Sequence, residues 1–188
     1  MTELSIYNLN GVQRFASELA ARGDGRPQVY MCIGTDKVFA DSLGPRVGSM
    51  LNEQMARPTF VYGMVTDNIT AENLAVCHNL IKRLHPDSQL VVIDAAVGTE
   101  DQIGNVQISD GGIIPGAATN KNLPLVGDVG IVGIVAERGM ADFYTLNGSK
   151  ERLVNRVAKF IVEAIVIAQT DQACNSRSTQ SKKGASLC

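Results

Sequence analysis

The sequence predicts an α/β protein of three layers, in which a mostly parallel, twisted sheet lies between two layers of helices. Two observations support this fold class. The apolar runs at residues 29–33, 59–62 and 90–94 are nearly continuous, as in strands buried on both faces of a parallel sheet. Segments with apolar residues at helical spacing precede and separate these runs, so the order is αβαβαβ, which is typical of a doubly wound sheet.

The length and composition of the chain favour one domain. With 188 residues, of which 45% are hydrophobic, the chain can bury a substantial core. We expect a single α/β domain over residues 1–170. We expect a disordered polar tail over residues 171–188, because Ser, Gln, Lys and Asn dominate that segment.

The charge and the apolar pattern argue against two classes of partner. A formal charge of −2 disfavours direct binding to nucleic acid, which requires many basic residues. No apolar run is long enough to cross a bilayer, and residues 1–3 lack the features of a secretion signal. We therefore expect a cytoplasmic protein that contacts neither nucleic acid nor a membrane.

The cysteines and histidines do not form a metal-binding pattern. None of the four cysteines belongs to a CxxC pair, and the chain has only two histidines, His78 and His85. We expect no metal and no cofactor, and we interpret both histidines as surface or structural residues. Cys32 lies in a predicted strand and is interpreted as part of the core rather than as a nucleophile.

The first half of the chain predicts three helices around the three strands. Residues 1–9 are expected to be irregular and residues 10–22 to form a helix. A second helix starts at Pro45, which is tolerated in a first turn because its missing N–H costs little there. Thr70 is expected to cap a third helix. The residues expected to be buried on that third helix are Leu74, Val76, Cys77, Leu80 and Ile81.

The second half of the chain predicts further strands and a last helix. The strands are expected at residues 103–108, 129–135 and 143–146, and the helix from Ser149 to about Gln169. Residues 109–128 form a long segment rich in Gly, Pro and Asn. Loops of this length are usually functional or disordered, and we expect this one to bind an extended peptide or to cover a crevice. It contains neither of the glycine patterns that bind phosphate.

Two aspartates follow apolar runs that we expect to be neighbours in the sheet. Asp41 lies in the polar loop after the first run, and Asp94 ends the third. If the first strand lies between the other two, both side chains lie at the carboxyl ends of adjacent parallel strands, where α/β sheets bind their ligands. Two close carboxylates share one proton, which supplies an acid and a base for activating water. The alternative is that both aspartates cap helices or loops.

Further residues are candidates for supporting this pair or for binding substrate. Thr35 and Asp36 lie in the same loop as Asp41. Asp110 and Asp128 lie near the two ends of the glycine-rich segment, and they could orient the site, bind substrate or stabilise the loop through Asx turns. The remaining candidates lie within that segment and are Gly112, Pro115 and Gly116.

Three segments resemble the germination protease of spore-forming bacteria. They are GTDKVFADSLGP at residues 34–45, VVIDAA at residues 91–96 and QISDGGIIPGAATN at residues 107–120. The resemblance implies an atypical aspartic endopeptidase that degrades small acid-soluble spore proteins, with Asp41 and Asp94 as its active-site aspartates. It also implies action in the cytoplasm, within the forespore, and assembly into a homo-oligomer.

A longer set of motifs resembles the sporulation protein family called YyaC. The motifs CIGTD, DSLGP, VYG and NKNLPLVGD follow one another between residues 29 and 135. The implied fold is phosphorylase/hydrolase-like and is similar to that of hydrogenase maturation proteases, which remove a C-terminal peptide after nickel insertion. In those enzymes a metal-binding Glu corresponds to Asp41 and an Asp to Asp94, while their His has no counterpart here. Two alternatives therefore stay open: a catalytically silent sporulation binding protein and a metal-dependent maturation protease.

Overall fold

A six-stranded sheet carries helices on both of its faces. The computed structural model describes residues 1–55, 59–115, 124–139 and 148–184, with side chains through residue 171. The strands are β1 (Thr2–Ser5), β2 (Gln28–Cys32), β3 (Phe60–Tyr62), β4 (Gln89–Gly98), β5 (Asn105–Asp110) and β6 (Val129–Glu137). The helices are α1 (Gly11–Ala21), α2 (Leu43–Gln54), α3 (Leu74–Leu84) and α4 (Gly148–Gly184).

The strand order in the sheet is β1-β5-β6-β4-β2-β3. Strands β3, β2, β4 and β6 are parallel, whereas β5 is antiparallel to both of its neighbours. β2 lies between β3 and β4, with Cys32 opposite Ile93, so the predicted position of the first strand between the second and third is confirmed. The prediction of a mostly parallel sheet between helical layers is also confirmed.

Alternation along the strands divides the core into two apolar clusters. On one face, Tyr30 of β2 and Ile93 of β4 pack in the cluster that contains α1, α2 and α4. On the other face, Met31 and Val92 pack in the cluster that contains the buried residues of α3. Asp94 is two residues beyond Val92, so its side chain points to the face that carries α3.

The prediction that residues 1–9 are irregular is wrong for their first half. Thr2–Ser5 form β1, which pairs antiparallel with β5 at the edge of the sheet. Leu4 is the one apolar side chain that this short strand buries, so the sequence gives no alternating pattern to recognise. The side chains of Asn105 and Gln107 donate hydrogen bonds of 2.6 Å to Glu3 and fasten the strand at its exposed face.

Helix α3 differs from its prediction in its start and in its buried face. It begins at Leu74, directly after Asn73, one turn later than the predicted cap Thr70. The Thr70 N–H donates a hydrogen bond of 2.7 Å to the Asn73 side chain, and the Thr70 hydroxyl accepts one of 3.4 Å from the Glu72 N–H, so Thr70 still ties down the turn that leads into the helix. Val76 and Leu80, which were predicted to be buried, are 70% and 43% exposed. The helix buries only Leu74 and Ile81 fully, because it contacts the sheet along one narrow stripe.

Helix α4 extends to Gly184, so the prediction that it ends near Gln169 is wrong. Between Ser149 and Lys183 the sequence contains neither Gly nor Pro, and polar residues such as Gln, Lys and Arg are compatible with helical backbone. The division into a domain over residues 1–170 and a tail stays a prediction. The strand predicted at residues 143–146 lies outside the described residues. Within the described part of the chain, no helix is long and apolar enough to cross a membrane.

Candidate active site

Asp94 lies in β4 at the point where the neighbouring strand β2 ends. The last pair between the two strands joins Cys32 and Ile93, and the Ile33 N–H then donates a hydrogen bond of 2.8 Å to the Ile93 carbonyl. β4 itself continues to Gly98, so the prediction that Asp94 ends the strand is wrong. Asp94 is only 6% exposed, and its carboxylate accepts a hydrogen bond of 2.8 Å from the next residue's N–H. A buried carboxylate therefore marks the carboxyl edge of the parallel strands.

Asp41 is held beside the same edge by its backbone. It is the last residue of a single 3₁₀ turn, Phe39–Asp41, which contacts β4. The Asp41 carbonyl accepts a hydrogen bond of 3.1 Å from the Thr35 N–H. Gly34 has a φ of +133°, and a Cβ at this position would overlap the Asp41 carbonyl oxygen, so only glycine permits this approach.

These contacts place Asp41 and Asp94 at the carboxyl edge of two adjacent strands. Asp41 packs on Gly34, which follows Ile33, and Ile33 pairs with the residue before Asp94. The strand order that the sequence predicted accounts for this arrangement. The action of the two carboxylates as an acid and a base stays a prediction.

The loop after β3 closes the other side of β2. Gly34 N–H donates a hydrogen bond of 2.8 Å to the Ile69 carbonyl, and the Thr35 hydroxyl donates one of 3.0 Å to the Asn68 side chain. Thr35 therefore fastens two loops to each other. Asp36 and Asp67 are exposed in these two loops, at the surface beside the candidate site.

A groove of about 450 Å³ opens beside Asp94 on the face that carries α3. Its floor contains Ala96 of β4, Val132 of β6 and Gln107 of β5, and the exposed Arg138 lies at its margin. Sequence reasoning missed Arg138 as a groove residue. The signal was available, because Arg138 directly follows β6, a parallel strand next to β4, and therefore lies at the same carboxyl edge.

The described part of the glycine-rich loop lines this groove. Gly112 has a φ of +77°, and a Cβ there would overlap the Val126 carbonyl oxygen. Ile113 and Val126 form two backbone hydrogen bonds of 3.0 and 2.9 Å, which fold the loop back over the sheet. Gly112 thus reaches the groove beside Asp94, while Pro115 is buried and Gly116 lies outside the described residues.

Asp110 and Asp128 lie at the opposite, amino edge of β4, so they are not brought to Asp94. Asp128 donates its N–H to the Leu90 carbonyl at 2.8 Å, and its carboxylate accepts the Leu90 N–H at 2.9 Å. Leu90 lies four residues before Asp94, which is about 13 Å along β4. Asp110 is opposite the first residue of β6 and pairs with Arg22 at 3.3 Å. The roles that the sequence left open for Asp110 and Asp128 stay predictions.

Both histidines lie on or after α3, away from the carboxyl edge. His85 Nε2 is 2.8 Å from the Tyr62 hydroxyl, and its ring packs on Phe60 with 4.3 Å between ring centroids. Burial lowers the pKa of His78, and the nearby Lys82 lowers it further. Among the described residues, no three His, Cys, Asp or Glu side chains lie close enough together to hold a metal ion. Within the described residues, neither histidine therefore joins Asp41 and Asp94 in a group of three.

Cys32 is a core residue, as predicted. It is fully buried in β2, and burial raises the pKa of its thiol. A thiol in this state is a poor nucleophile at neutral pH.

Comparisons with known proteins agree with this fold. The chain is 21% identical in sequence to the [NiFe] hydrogenase maturation protease HycI from Thermococcus kodakarensis KOD1, whose crystal structure superposes with a TM-score of 0.52. The match covers 79% of this chain and 98% of that one, and it shows a shared fold.

Sequence relatives define the family. YyaC of Bacillus subtilis (strain 168), described as an uncharacterized protein, is 36% identical over 154 residues, which is 82% of this chain and 75% of that protein. The family model described as "Protein of unknown function (DUF1256)" matches residues 5–164. The chain, homologous to YyaC and folded like a maturation protease, therefore belongs to the DUF1256 family.

Proposed function

We propose that this protein is an endopeptidase that hydrolyses peptide bonds with Asp41 and Asp94. One observation carries the proposal. The buried Asp94 lies beside the end of β2, where the Asp41 backbone packs on Gly34. Asp94 also lines a groove of about 450 Å³. The shared fold with a protease supports this choice of reaction class over others that use two carboxylates.

The pair would act by general acid–base catalysis. One carboxylate removes a proton from water, whose oxygen attacks the carbonyl carbon of the scissile bond. The other carboxyl, which carries a proton, donates it to the leaving amine as the C–N bond breaks. Because two close carboxylates titrate together, each step is assigned to the pair rather than to one residue.

The substrate class comes from the resemblance to germination protease. That resemblance rests on residues 34–45, 91–96 and 107–120, which include both aspartates and the described part of the groove wall at Gly112. We therefore propose small acid-soluble spore proteins as substrates and the cytoplasm of the forespore as the place of action. Assembly into a homo-oligomer belongs to the same proposal.

Cleavage of a purified small acid-soluble spore protein tests the proposal directly. The reaction is followed from mildly acidic to neutral pH, with and without a chelator, for the unsubstituted protein and for Asp41→Asn and Asp94→Asn. Both substitutions should lower the rate by about a hundredfold or more, since each removes an acid–base group. Asp67→Asn is the matched control, because Asp67 is an exposed aspartate in the adjoining loop.

Two results would contradict the proposal. Cleavage that chelator abolishes would indicate a metal-dependent protease instead. Binding of the spore protein without cleavage at any pH, and with no loss of binding in either variant, would indicate a binding protein on a protease-like fold.

A further inference from the structure

Strand β4 pairs on one side up to its last residue, whereas on the other side its pairing stops in the middle of the strand. On one side it pairs with β6 from Val91 to Gly98. On the other side, its pairing with β2 ends at Ile93, where the Ile33 N–H donates its bond. Within the part of the chain that the structure describes, no strand continues this second ladder. The segment Ala95–Gly98 therefore has an open edge, which begins next to Asp94.

The backbone groups on this edge follow from the period of the strand. In a parallel ladder, the N–H and C=O of one residue point to the same side, and alternate residues point to opposite sides. Ile93 faces β2, so Ala95 and Val97 face the same way. The Gly98 carbonyl accepts a hydrogen bond of 2.9 Å from the Arg138 N–H, which shows that the alternation persists beyond the irregular register between Ala96 and Val97.

Apart from the Ala95 N–H, three backbone groups lie along this edge. The Ala95 N–H donates to the Asp94 carboxylate at 2.8 Å. The Ala95 carbonyl and the N–H and carbonyl of Val97 are directed to the side on which β2 ends and have no backbone partner among the described residues. The turn Phe39–Asp41 contacts β4 on its way past the end of β2 and so limits the edge at its Ala95 end. Ala95 and Val97 are each partly exposed, and both line the groove beside Asp94.

We propose that an extended peptide adds to this edge as a further strand and that it pairs with the backbone of Ala95 and Val97. The peptide would lie where a continuation of β2 would run, because the chain turns away from that position at Gly34, towards Asp41. One end of the added strand then lies beside Asp94. Pairing through the main chain is a general way of binding peptides, in which alternate side chains enter pockets and give selectivity.

The groove beside Asp94 fits the alternate side chains of such a peptide. Ala95, Ala96 and Val97 all line it, so it adjoins the open edge directly. Its floor contains Val132 and Ile134 of β6. Four or five residues of an added strand span about 13–16 Å, which is the length of the edge. The inference therefore deepens the proposed function by naming how the substrate chain is held, and its position beside a catalytic carboxylate rests on that function.

A peptide fits this edge better than the strand of a second folded copy. The edge is short, and Gly34 and the loop that carries Asp41 close its beginning, so a sheet edge of a partner would meet the end of β2. A flexible chain can leave the sheet on either side of this obstruction.

Selection from a library of random ten-residue peptides tests the inference. The full-length Asp41→Asn protein is the target, so that bound peptides are not cleaved. Selected peptides are then resynthesised with a single N-methyl group at each position in turn, and binding is measured by fluorescence anisotropy. N-methylation should weaken binding by about tenfold at every second position within a stretch of four or five residues, because each removes a main-chain hydrogen bond.

Two substitutions of Val97 test the same contact by changing the protein instead of the peptide. Val97→Pro removes the N–H that faces the added strand, and proline is tolerated at an edge position of this kind. It should weaken binding by about tenfold or more, whereas Val97→Ala keeps the N–H and should bind normally. If Val97→Pro does not fold, the N-methyl series on the Asp41→Asn protein alone decides the question.

The outcomes separate this inference from the proposed hydrolysis. Failure to select any peptide, or binding insensitive to N-methylation, would overturn the docking edge. Equal binding to a folded Val97→Pro protein would do the same. Peptides that bind with the alternating pattern but are never cleaved by the unsubstituted protein would support the edge and contradict hydrolysis. Cleavage that Val97→Pro leaves unchanged would support hydrolysis and contradict the edge.

Discussion

The amino edge and the carboxyl edge, which are the two ends of the parallel strands, carry similar polar side chains in different surroundings. At the amino edge, the Asp128 carboxylate accepts the Leu90 N–H and lies 3.3 Å from Arg26. Gln28, the first residue of β2, is buried there and hydrogen-bonded to the first residue of β4. At the carboxyl edge, Asp94 borders a groove of about 450 Å³, against about 230 Å³ for the groove beside Asp128. The amino edge thus joins strands, whereas the carboxyl edge presents a buried carboxylate to a larger space.

Strand direction explains which aspartate lies at which edge. Asp94 follows the apolar residues of β4, and Asp110 is the last residue of β5. β5 is antiparallel, however, so its carboxyl end lies at the amino edge of its neighbours, with Asp110 opposite Val129. Asp128 precedes β6 and reaches the same edge from the other direction. A candidate site in such a sheet therefore depends on the direction of each strand as well as on its end.

Two glycines with positive φ test how tightly each edge is constrained. Gly34→Ala should destabilise the protein by about 3 kcal/mol, because it forces a Cβ into the Asp41 carbonyl as well as an unfavourable φ. Gly25, before β2 at the amino edge, has a φ of +86°, and a Cβ there would meet no other atom within 4 Å. Gly25→Ala should therefore cost only about 1 kcal/mol.

Urea unfolding of both variants measures the difference. Equal costs for Gly34→Ala and Gly25→Ala would mean that the carboxyl edge tolerates displacement of Asp41. In that case the close approach of the loop to β2 would not be what positions the candidate active site.

The sequence was sufficient for the central strands and for the neighbourhood of the two aspartates. Continuous apolar runs identify β2, β3 and β4, and the crossovers that carry α2 and α3 between them are long enough to make the strands parallel, which places Asp41 and Asp94 at one edge. The course of β4 beyond Asp94 could not be predicted in this way. Ala95–Gly98 are small residues whose strand conformation depends on pairing with β6, a contact made some 40 residues later in the chain.

Removing Asp128 should affect stability but not catalysis. Asp128→Ala leaves the Leu90 N–H without its side-chain acceptor and Arg26 without one of its partners, which should cost about 1–2 kcal/mol. The folded variant should cleave substrate at the normal rate, because Asp128 lies at the amino edge. Asp110→Ala is the matched control, since Asp110 is 74% exposed and its ion pair with Arg22 should contribute under about 1 kcal/mol.

Measurements of unfolding and of cleavage on the same samples separate the two edges. A loss of cleavage in Asp128→Ala that its stability does not explain would connect the amino edge to catalysis. It would restore the role of substrate binding or orientation that the sequence left open for this residue.

The features that sequence reasoning missed share a physical cause. The burial of Val76 and Leu80 was overestimated, because apolar spacing alone does not show how much of a helix its sheet can cover. The strand β1 was missed because it buries one side chain and gains its stability from pairing with β5. Both depend on contacts between distant parts of the chain, which local patterns do not contain.

The smallest expected effect is the pH dependence that His78 gives to the amino edge. Burial and Lys82 lower the pKa of His78 below its ordinary value of 6.5, while Asp128 opposes them. Its Nε2 is buried and has no hydrogen-bond partner among the described residues. The unfolded chain therefore binds a proton at His78 more readily than the folded chain does. The free energy of unfolding is consequently highest above the ordinary pKa of His78 and falls as the pH drops below that value. Urea midpoints at about pH 7.5 and about pH 5.5 should differ more for the unsubstituted protein than for His78→Gln.

Combining this measurement with Asp128→Ala sharpens the comparison of the two edges. Without the carboxylate that opposes the shift, the pKa of His78 should fall further, so the loss of stability should continue to lower pH. Asp94→Asn should leave the His78 dependence unchanged, because it lies at the other edge. If instead Asp94→Asn alters this dependence as much as Asp128→Ala does, the two edges are coupled through β4, and the division between a structural and a functional edge is wrong.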